Sequence, residues 1–477
     1  MRYTLIFLFT TTLLAADAPE AAKVAAWVRA LPAAEPDASY FGVLGGISTT
    51  HVGPVSDFIR TSGPKALYAD TTRLGTARSF LTMRASYLAS LGTGGIRWFR
   101  DVQNVPWGMI EVEKDSYRWD ILDAIVQTVQ NAGGRYVGTV MPYAGWELRA
   151  AGYATSTDEM CQRLFTEDFF YLAYDQRMDR YRDEAQYLKF LGKVVERYDG
   201  DGIDDMPGLS VPVKYWQIHN EPEGDHCGLF RVDPNAFVRL MRISYESIHA
   251  SCADCVVING GAGINLWLEN QNPVPGGVNF WRDFAAAGGA QYVDVIAAHY
   301  NDGKSPSHGT VENLEYQIRR LRELIGTTKP VWLTEFGVVI GIETGNFSGL
   351  SEADAGAWYV RMYAAGLAAG ASRFFPDAPA FIQMNGPTYL PFYVQKLLQA
   401  ELGGFTSATK VATGQYRFRV GNSDRWVVWS GMPVSGEVRA IDMYGNVTTA
   451  QASTLHPTAS APLIIEVNTS GKRRASR

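Results

Sequence analysis

The stretch Val213-Lys-Tyr-Trp-Gln-Ile-His-Asn-Glu-Pro222 joins a short apolar strand pattern to a polar end. A second stretch of similar design, Val331-Trp-Leu-Thr-Glu-Phe-Gly337, lies further along the chain. In both, a glutamate stands where the strand pattern stops, Glu221 in the first and Glu335 in the second. A fold that brings the ends of these two strands together would place the two glutamates side by side.

Strand patterns recur along the chain, and amphipathic helical patterns separate most of them. The predicted strands are residues 40–46, 95–100, 135–141, 213–219, 255–259, 293–299, 330–334 and 371–375. Alternating strands and helices predict an α/β fold with a parallel sheet, and eight such units fit a (β/α)8 TIM barrel with long loops. A doubly wound open sheet is the alternative, but Gly42-Val-Leu-Gly45-Gly46 matches no dinucleotide fingerprint.

The two ends of the chain differ in character from the barrel pattern. Residues 1–18 have Arg2, an apolar run and then small residues, which predicts a signal peptide and a secreted or periplasmic protein. The barrel is predicted over residues 19–403, with no later segment of membrane-spanning length. Strand-forming runs between turns predict a small C-terminal β-sandwich over residues 404–470, and residues 471–477 form a basic tail.

The charge composition of the chain indicates which class of binding partner to expect. The 477 residues include 43 Lys+Arg and 49 Asp+Glu, giving a net charge of −6. This balance argues against nucleic acid as the main partner, because no basic field exists to neutralise phosphates. The sequence makes no prediction of oligomeric state.

Four cysteines allow three disulfide pairings in an exported chain. The nearest pairing in sequence is Cys252–Cys255, which leaves Cys161–Cys227. The second pair would join predicted loops after the third and fourth strands. A bond there would fix two neighbouring loops beside the predicted cleft.

In a barrel, the carboxyl ends of all strands meet at one rim, where catalytic groups lie. Three βα units separate Glu221 from Glu335, so both glutamates should reach that rim. Facing carboxylates suit glycoside hydrolysis, in which one group is protonated and the other ionised, and retaining enzymes hold them about 5–5.5 Å apart. Asn220 precedes Glu221 and could bind the sugar hydroxyl beside the reacting carbon.

The two stretches resemble the acid/base and nucleophile motifs of clan A glycoside hydrolases, of the family 39 and family 5 type. The resemblance covers about residues 40–400 and implies that Glu221 is the general acid/base and Glu335 the nucleophile. It further implies that Arg100, in Arg97-Trp-Phe-Arg100, steadies the nucleophile. His299 and Tyr300 match the sixth-strand residues that line the glycone site.

Two further residues are candidates for contact with the sugar. Trp146 follows the third strand and could stack on a sugar face, and His219 precedes Asn220. Many clan members place a tryptophan at the end of the eighth strand, whereas this chain reads Phe374-Phe375-Pro376-Asp377.

These residues predict a retaining β-glycoside hydrolase that acts on a β-linked polysaccharide or oligosaccharide, with endo action favoured. An exo-acting β-xylosidase or β-glucosidase is the alternative within enzymes, and a non-catalytic glycan-binding protein is the alternative outside them. We expect no cofactor and no metal, since the sequence lacks His-Glu-x-x-His, EF-hand and His/Cys cluster patterns.

Overall fold

The structure is a computed structural model, and its sheets account for the spacing of the two glutamate stretches. The residues that it describes are 17–44, 55, 62, 65–93, 95–100, 105–144, 146–147, 183–223, 234–263, 277–301, 310–326, 328–338, 340–341, 349–376 and 387–467. The predicted Cys161–Cys227 bond and the basic tail lie outside these residues. So do residues 1–16 of the predicted signal peptide.

The α/β part of the described chain contains eleven strands. They are β1 (Gly42–Leu44), β2 (Trp98–Arg100), β3 (Val105–Pro106), β4 (Glu111–Glu113), β5 (Ser116–Tyr117), β6 (Arg135–Met141), β7 (Tyr215–Ile218), β8 (Val256–Ile258), β9 (Ile296–Asn301), β10 (Val331–Gly337) and β11 (Ala371–Pro376). One sheet has the order β1-β2-β6-β7-β8 with β3 beside β6, and another has the order β11-β10-β9. All of these pairings are parallel, as the alternation of strands and helices predicts.

Isolated parallel bridges connect the edges of the two sheets. Phe41 pairs with Phe374 on one side, and Ile258 pairs with Val295 on the other. The eight main strands therefore follow one another in chain order around the sheet system, which brings their carboxyl ends to one side.

Helices cover the outer surface of this sheet system. They are α1 (Ala26–Arg29), α2 (Thr71–Thr93), α3 (Trp107–Ile110), α4 (Asp120–Asn131), α5 (Glu184–Tyr198), α6 (Pro234–Ser251), α7 (Gly277–Ala286), α8 (Val311–Ile325), α9 (Glu352–Ala369) and α10 (Leu390–Leu402). Helix α8 begins after Thr310, whose hydroxyl accepts a hydrogen bond from the N–H of Asn313 at 3.3 Å and so caps the helix.

Successive strand residues point to opposite faces, and this alternation separates two apolar clusters. The outward cluster packs under the helices and includes Phe99, Trp216, Tyr300 and Phe336. The inward cluster is smaller and contains Leu44, Trp98, Val137, Ile258, Val295, Ala297, Trp332 and Phe375. Inward residues that follow this cluster along each strand lie at the carboxyl ends.

The C-terminal part differs from the prediction of a sandwich. Its strands are β12 (Phe405–Ala412), β13 (Gln415–Val420), β14 (Ser423–Val428), β15 (Glu437–Asp442), β16 (Val447–Gln451) and β17 (Leu463–Val467). They form one antiparallel sheet of order β12-β13-β14-β17-β15-β16 rather than two sheets. Tyr416 and Phe418 on one face join the main core, and Trp426 and Ile465 on the other belong to a separate small cluster. One sheet suffices because the barrel helices cover its first face.

The N-terminal segment lies against both parts of the molecule. The indole N–H of Trp27 donates to the carbonyl of Gly445 at 2.7 Å, in the C-terminal sheet region. Asp17 forms an ion pair with Arg29 and accepts a hydrogen bond from the hydroxyl of Tyr393 at 2.9 Å, although the sequence analysis assigned residue 17 to the signal peptide. These contacts join the start of the described chain to α10 and to the sheet.

The predicted Cys252–Cys255 disulfide is present between α6 and β8, with 5.3 Å between the two Cα atoms. Among the described residues, no helix combines the length and the apolar character that are needed to cross a membrane.

Candidate active site

Polar side chains occupy the last inward positions of four strands. Arg100 ends β2, Gln217 lies near the end of β7, His299 lies in β9, and Thr334 and Glu335 lie in β10. The pairing of β10 with β9 shifts register between Leu333 and Glu335, so the side chains of the adjacent Thr334 and Glu335 both reach His299. The side chain of Arg100 is fully buried, and that of His299 is 1% exposed. Buried polar groups require hydrogen-bond partners, and several of these residues bind one another.

Arg100 is the central donor of this group. Its Nη1 donates to Oε1 of Glu335 at 2.9 Å and to the carbonyl of Thr334 at 3.2 Å. Its Nε donates to Oε1 of Gln217 at 3.1 Å, and its Nη2 donates to Oδ1 of Asn220. A buried guanidinium with four acceptors has one orientation, and it places a fixed positive charge beside the Glu335 carboxylate.

His299 stands between the two glutamates. Its Nδ1 lies 2.7 Å from Oε1 of Glu221 and 3.6 Å from Oε2 of Glu335. Its Nε2 lies 3.1 Å from the hydroxyl oxygen of Thr334. The arrangement fits an imidazole whose Nδ1–H donates to Glu221 and whose Nε2 accepts from the Thr334 hydroxyl. From α8, Nε2 of Gln317 donates to the carbonyl of His299 at 3.0 Å and holds its backbone.

A tight turn after β7 presents Asn220 and Glu221. His219 has φ = 69° and Glu221 has φ = 44°, so the two residues that flank Asn220 adopt the left-handed conformation. This conformation costs free energy for a side chain other than glycine, and such residues concentrate at functional sites. The N–H of Glu221 donates to the carbonyl of Gly260 at 2.6 Å, which ties the turn to the loop after β8.

The two carboxylates come close together. One oxygen of Glu221, one oxygen of Glu335 and a ring nitrogen of His299 all lie within 4.8 Å of one another. The side chain of Glu221 is 38% exposed and that of Glu335 is 14% exposed, so both can be reached from outside. Two carboxylates and an imidazole are also donors that a transition metal accepts. Here, however, Arg100 already supplies a positive charge to Glu335.

Three of the predicted sugar-binding residues have different surroundings. Tyr300 follows His299 on β9 and therefore faces the helices, where its hydroxyl donates to the carbonyl of Thr310 at 2.6 Å. The indole N–H of Trp146 donates to the carbonyl of Glu111 at 2.6 Å, and its ring packs edge-on against Trp107.

His219 is the third, and it is buried beneath the turn. Its Nε2 lies 2.8 Å from the hydroxyl oxygen of Tyr143, and its ring contacts Phe237 of α6. Burial lowers the pKa of His219 from its ordinary value of 6.5 to about 3. The imidazole is therefore neutral near pH 7, and it supports the turn from below.

The structure also assigns contacts to residues that the sequence analysis did not single out. Gln217 and Thr334 bind Arg100 and His299, and Glu223 is a fully buried carboxylate just beyond Glu221. Strand parity could have found Gln217, because it lies two residues before His219 and two after Tyr215 in an otherwise apolar strand. Nothing in the local sequence distinguishes Glu223 from an exposed loop glutamate.

Comparison with known proteins identifies solved structures with a similar fold. No protein-family model matches the sequence, and no curated protein matches it. Among solved structures, a family 39 glycoside hydrolase from Bacteroides cellulosilyticus WH2 is similar with a TM-score of 0.54 and 14% identity. The match covers 81% of this chain and 78% of that one. A conserved exported protein from Bacteroides fragilis is similar with a TM-score of 0.51 and 12% identity, over 93% of this chain and 99% of that one.

The chain has a fold similar to that of the family 39 glycoside hydrolase. This likeness agrees with the parallel strands that carry Arg100, His299 and Glu335 and with the antiparallel sheet that follows them.

Proposed function

We propose that the protein is a secreted retaining β-glycoside hydrolase built on a closed (β/α)8 barrel. The observation that carries this proposal is the close approach of two carboxylates, whose oxygens lie within 4.8 Å. A separation of about 5–5.5 Å between carboxyl groups is typical of retaining enzymes, whereas inverting enzymes leave about 6.5–9.5 Å for a water molecule. The fold shared with a family 39 glycoside hydrolase supports the same reaction class.

In this proposal Glu335 is the nucleophile. Its oxygen attacks the anomeric carbon while the bond from that carbon to the leaving oxygen breaks, which forms a covalent glycosyl-enzyme. Arg100 binds Oε1 of Glu335 and so orients the carboxylate, whose Oε2 lies 3.6 Å from Nδ1 of His299. A preorganised cation at this position does not have to reorganise as charge shifts during the reaction.

Glu221 is the proposed general acid and base. Nδ1–H of His299 donates to Oε1 of Glu221 and so orients the carboxyl group that carries the proton. Glu221 gives that proton to the leaving oxygen in the first step. In the second step it removes a proton from the water molecule that attacks the glycosyl-enzyme.

The substrate proposed is a β-linked polysaccharide or oligosaccharide, with endo action favoured over that of an exo β-xylosidase or β-glucosidase. The long segments after several strands and the many Trp and Tyr residues support an extended carbohydrate. Export is supported by the N-terminal pattern of residues 1–18 and by the fold shared with an exported protein.

A panel of polysaccharides and aryl β-glycosides tests this function. Wild type and Glu335→Gln are compared, and NMR follows the anomer that is released first. We expect wild type to release the β anomer and the variant to lose activity by about 10⁴-fold or more. Release of the inverted anomer would contradict the role of Glu335, and binding without turnover across the panel would favour a glycan-binding protein.

A further inference from the structure

Glu223 is a buried carboxylate two residues beyond Glu221, and the catalytic scheme above does not use it. Its side chain is fully buried. Its Oε1 accepts a hydrogen bond from the N–H of Gly263 at 2.7 Å and another from the indole N–H of Trp281 at 2.8 Å. Burying a carboxylate is costly unless donors surround it, so these two bonds hold the loop after β8 and helix α7 in fixed positions relative to the turn that carries Glu221.

Gly263 lies directly against the carboxyl group of Glu221. A Cβ atom at position 263 would stand 2.6 Å from Cδ and 2.8 Å from Cγ of Glu221, which is closer than real Cβ atoms approach. The backbone at Gly263 therefore forms one wall of the space in which Glu221 lies. Since Glu221 is more exposed than Glu335, this wall limits the directions in which its carboxylate can turn.

The same loop also supports His299. Gly261 has φ = 76°, and a Cβ atom there would stand 2.7 Å from Cε1 of His299. The carbonyl of Ala262 accepts the N–H of His299 at 2.9 Å and Nε2 of Gln317 at 3.1 Å. Displacement of the loop would therefore affect both partners of the Glu221–His299 hydrogen bond.

We propose that Glu223 is a positioning residue for the general acid/base. By binding Gly263 and Trp281, it keeps the loop of residues 260–263 against Glu221 and aims the proton of Glu221 at the leaving oxygen. This inference rests on the proposed function, because it assigns Glu223 to the same reaction without any contact with substrate.

Dependence on the leaving group tests the proposal. A dinitrophenyl glycoside has a leaving group that departs with little protonation, whereas an unsubstituted phenyl glycoside requires the acid. In Glu223→Ala, we expect kcat/KM to fall about 10²-fold for the phenyl glycoside. For the dinitrophenyl glycoside of the same sugar, we expect a fall of less than about fivefold, because this leaving group needs little help from a general acid. Equal losses on both substrates would overturn the proposal, since a general structural defect does not distinguish leaving groups.

Two further variants serve as controls. Glu223→Gln keeps an acceptor oxygen at the same distance along the side chain, so we expect it to restore most of the activity on the phenyl glycoside. Glu401→Gln removes another buried carboxylate, which pairs with Arg425 and Arg439 at the C-terminal sheet, and we expect it to leave the ratio of the two substrates unchanged. A changed ratio in Glu401→Gln would contradict a specific role for Glu223.

A second route does not depend on the folding of Glu223→Ala. Gly263→Ala places a methyl group against the Glu221 carboxyl, and we expect the same selective loss on the phenyl glycoside. Crystal structures of wild type and of either variant provide a readout without substrate: we expect the Glu221 carboxyl group to shift by about 1 Å or more, enough to misalign proton transfer. If Glu221 did not move in either variant, the role of Glu223 would be overturned, whether or not glycosidase activity is found on the substrate panel. If no glycosidase activity were found, that result alone would count against the proposed function and not against the role of Glu223.

Discussion

Two regions inside the sheet system share the same strands but differ in chemistry. Toward the amino ends of the strands, Trp98, Tyr215 and Trp332 pack against one another, with ring centroids 4.8–5.3 Å apart. The guanidinium of Arg373 lies 4.2 Å from the Trp98 ring centroid, and burial lowers its pKa. We call Trp98, Tyr215, Trp332 and Arg373 the floor.

Two residues further along the same strands, the inward side chains become polar and bind one another. Arg100 follows Trp98, Gln217 follows Tyr215, and Thr334 follows Trp332. We call the polar set the mouth, which consists of Arg100, Gln217, His299, Thr334 and Glu335. A distance of two residues along each strand thus separates a layer packed by apolar contacts from a layer joined by hydrogen bonds. The rigid packing of the floor keeps the residues of the mouth at fixed positions relative to one another.

The largest effect on activity should come from Glu221→Ala, because Glu221 binds His299 of the mouth and is the proposed acid. We expect kcat/KM on a phenyl glycoside to fall by about 10²–10⁴-fold, because the leaving oxygen loses its proton donor. The urea midpoint should stay close to that of wild type, since Glu221 is partly exposed. Azide, which needs no base, should restore turnover of an activated glycoside and give the β-glycosyl azide. Unchanged activity on every substrate would remove Glu221 from the mechanism.

Substitution of a floor residue should lower stability rather than catalytic activity. Trp332→Ala removes a side chain that is 4% exposed, so we expect a loss of about 3–5 kcal/mol in the free energy of unfolding, measured by urea denaturation. The exposed Val411→Ala is the control and should change stability by less than about 0.5 kcal/mol. A large loss of activity in fully folded Trp332→Ala would contradict the claim that the floor contributes stability and the mouth contributes catalysis.

Arg100 tests the connection within the mouth. Arg100→Lys keeps the charge but cannot make four directed hydrogen bonds, so we expect kcat/KM to fall by about 10²–10³-fold. Arg97→Lys is the matched control, because Arg97 directly precedes the same strand and binds the carbonyls of Ala34 and Ala132 away from the carboxylates. Similar losses in both variants would show that any replacement of arginine around β2, rather than loss of the bond to Glu335, lowers activity.

The smallest expected effect concerns His219 and pH. The pKa of His219 is about 3 in the folded protein and about 6.5 when exposed, so the unfolded chain binds more protons between these values. Stability from this group is therefore present above about pH 6.5 and is lost as pH falls, by about 1 kcal/mol between pH 7 and 5.5. His219→Asn, which tolerates a positive φ, should flatten the pH dependence of the unfolding free energy by that amount. An unchanged slope would show that His219 does not resist protonation.

Much of the fold could be predicted from the sequence, because the patterns that indicate its strands and helices each span only a few neighbouring residues. Apolar runs, helical periodicity and the two glutamates at strand ends are visible in the sequence, and the parallel pairings and the Cys252–Cys255 bond confirm those predictions. The C-terminal strands were predicted, but they form one sheet rather than the two sheets of a sandwich. Strand patterns predict strands, but how those strands divide into sheets depends on contacts with the barrel helices.

Strand parity decides which of the predicted site residues lie together in the structure. Arg100 and His299 face inward, whereas Tyr300, adjacent to His299, has the opposite parity and binds Thr310. Glu223 could not be found from the sequence. Its burial depends on Gly263 and Trp281, which are about 40 and 60 residues away and meet it only through the barrel topology.

Covalent trapping is the most direct test of the central claim that Glu335 is the nucleophile of a retaining mechanism. The 2-deoxy-2-fluoro glycoside of the best substrate, with a dinitrophenyl leaving group, slows the second step and accumulates the glycosyl-enzyme. We predict one added fluoroglycosyl mass per chain, located by peptide mass spectrometry on Glu335. A label on Glu221, or full activity without any label while the substrate is consumed, would contradict the account.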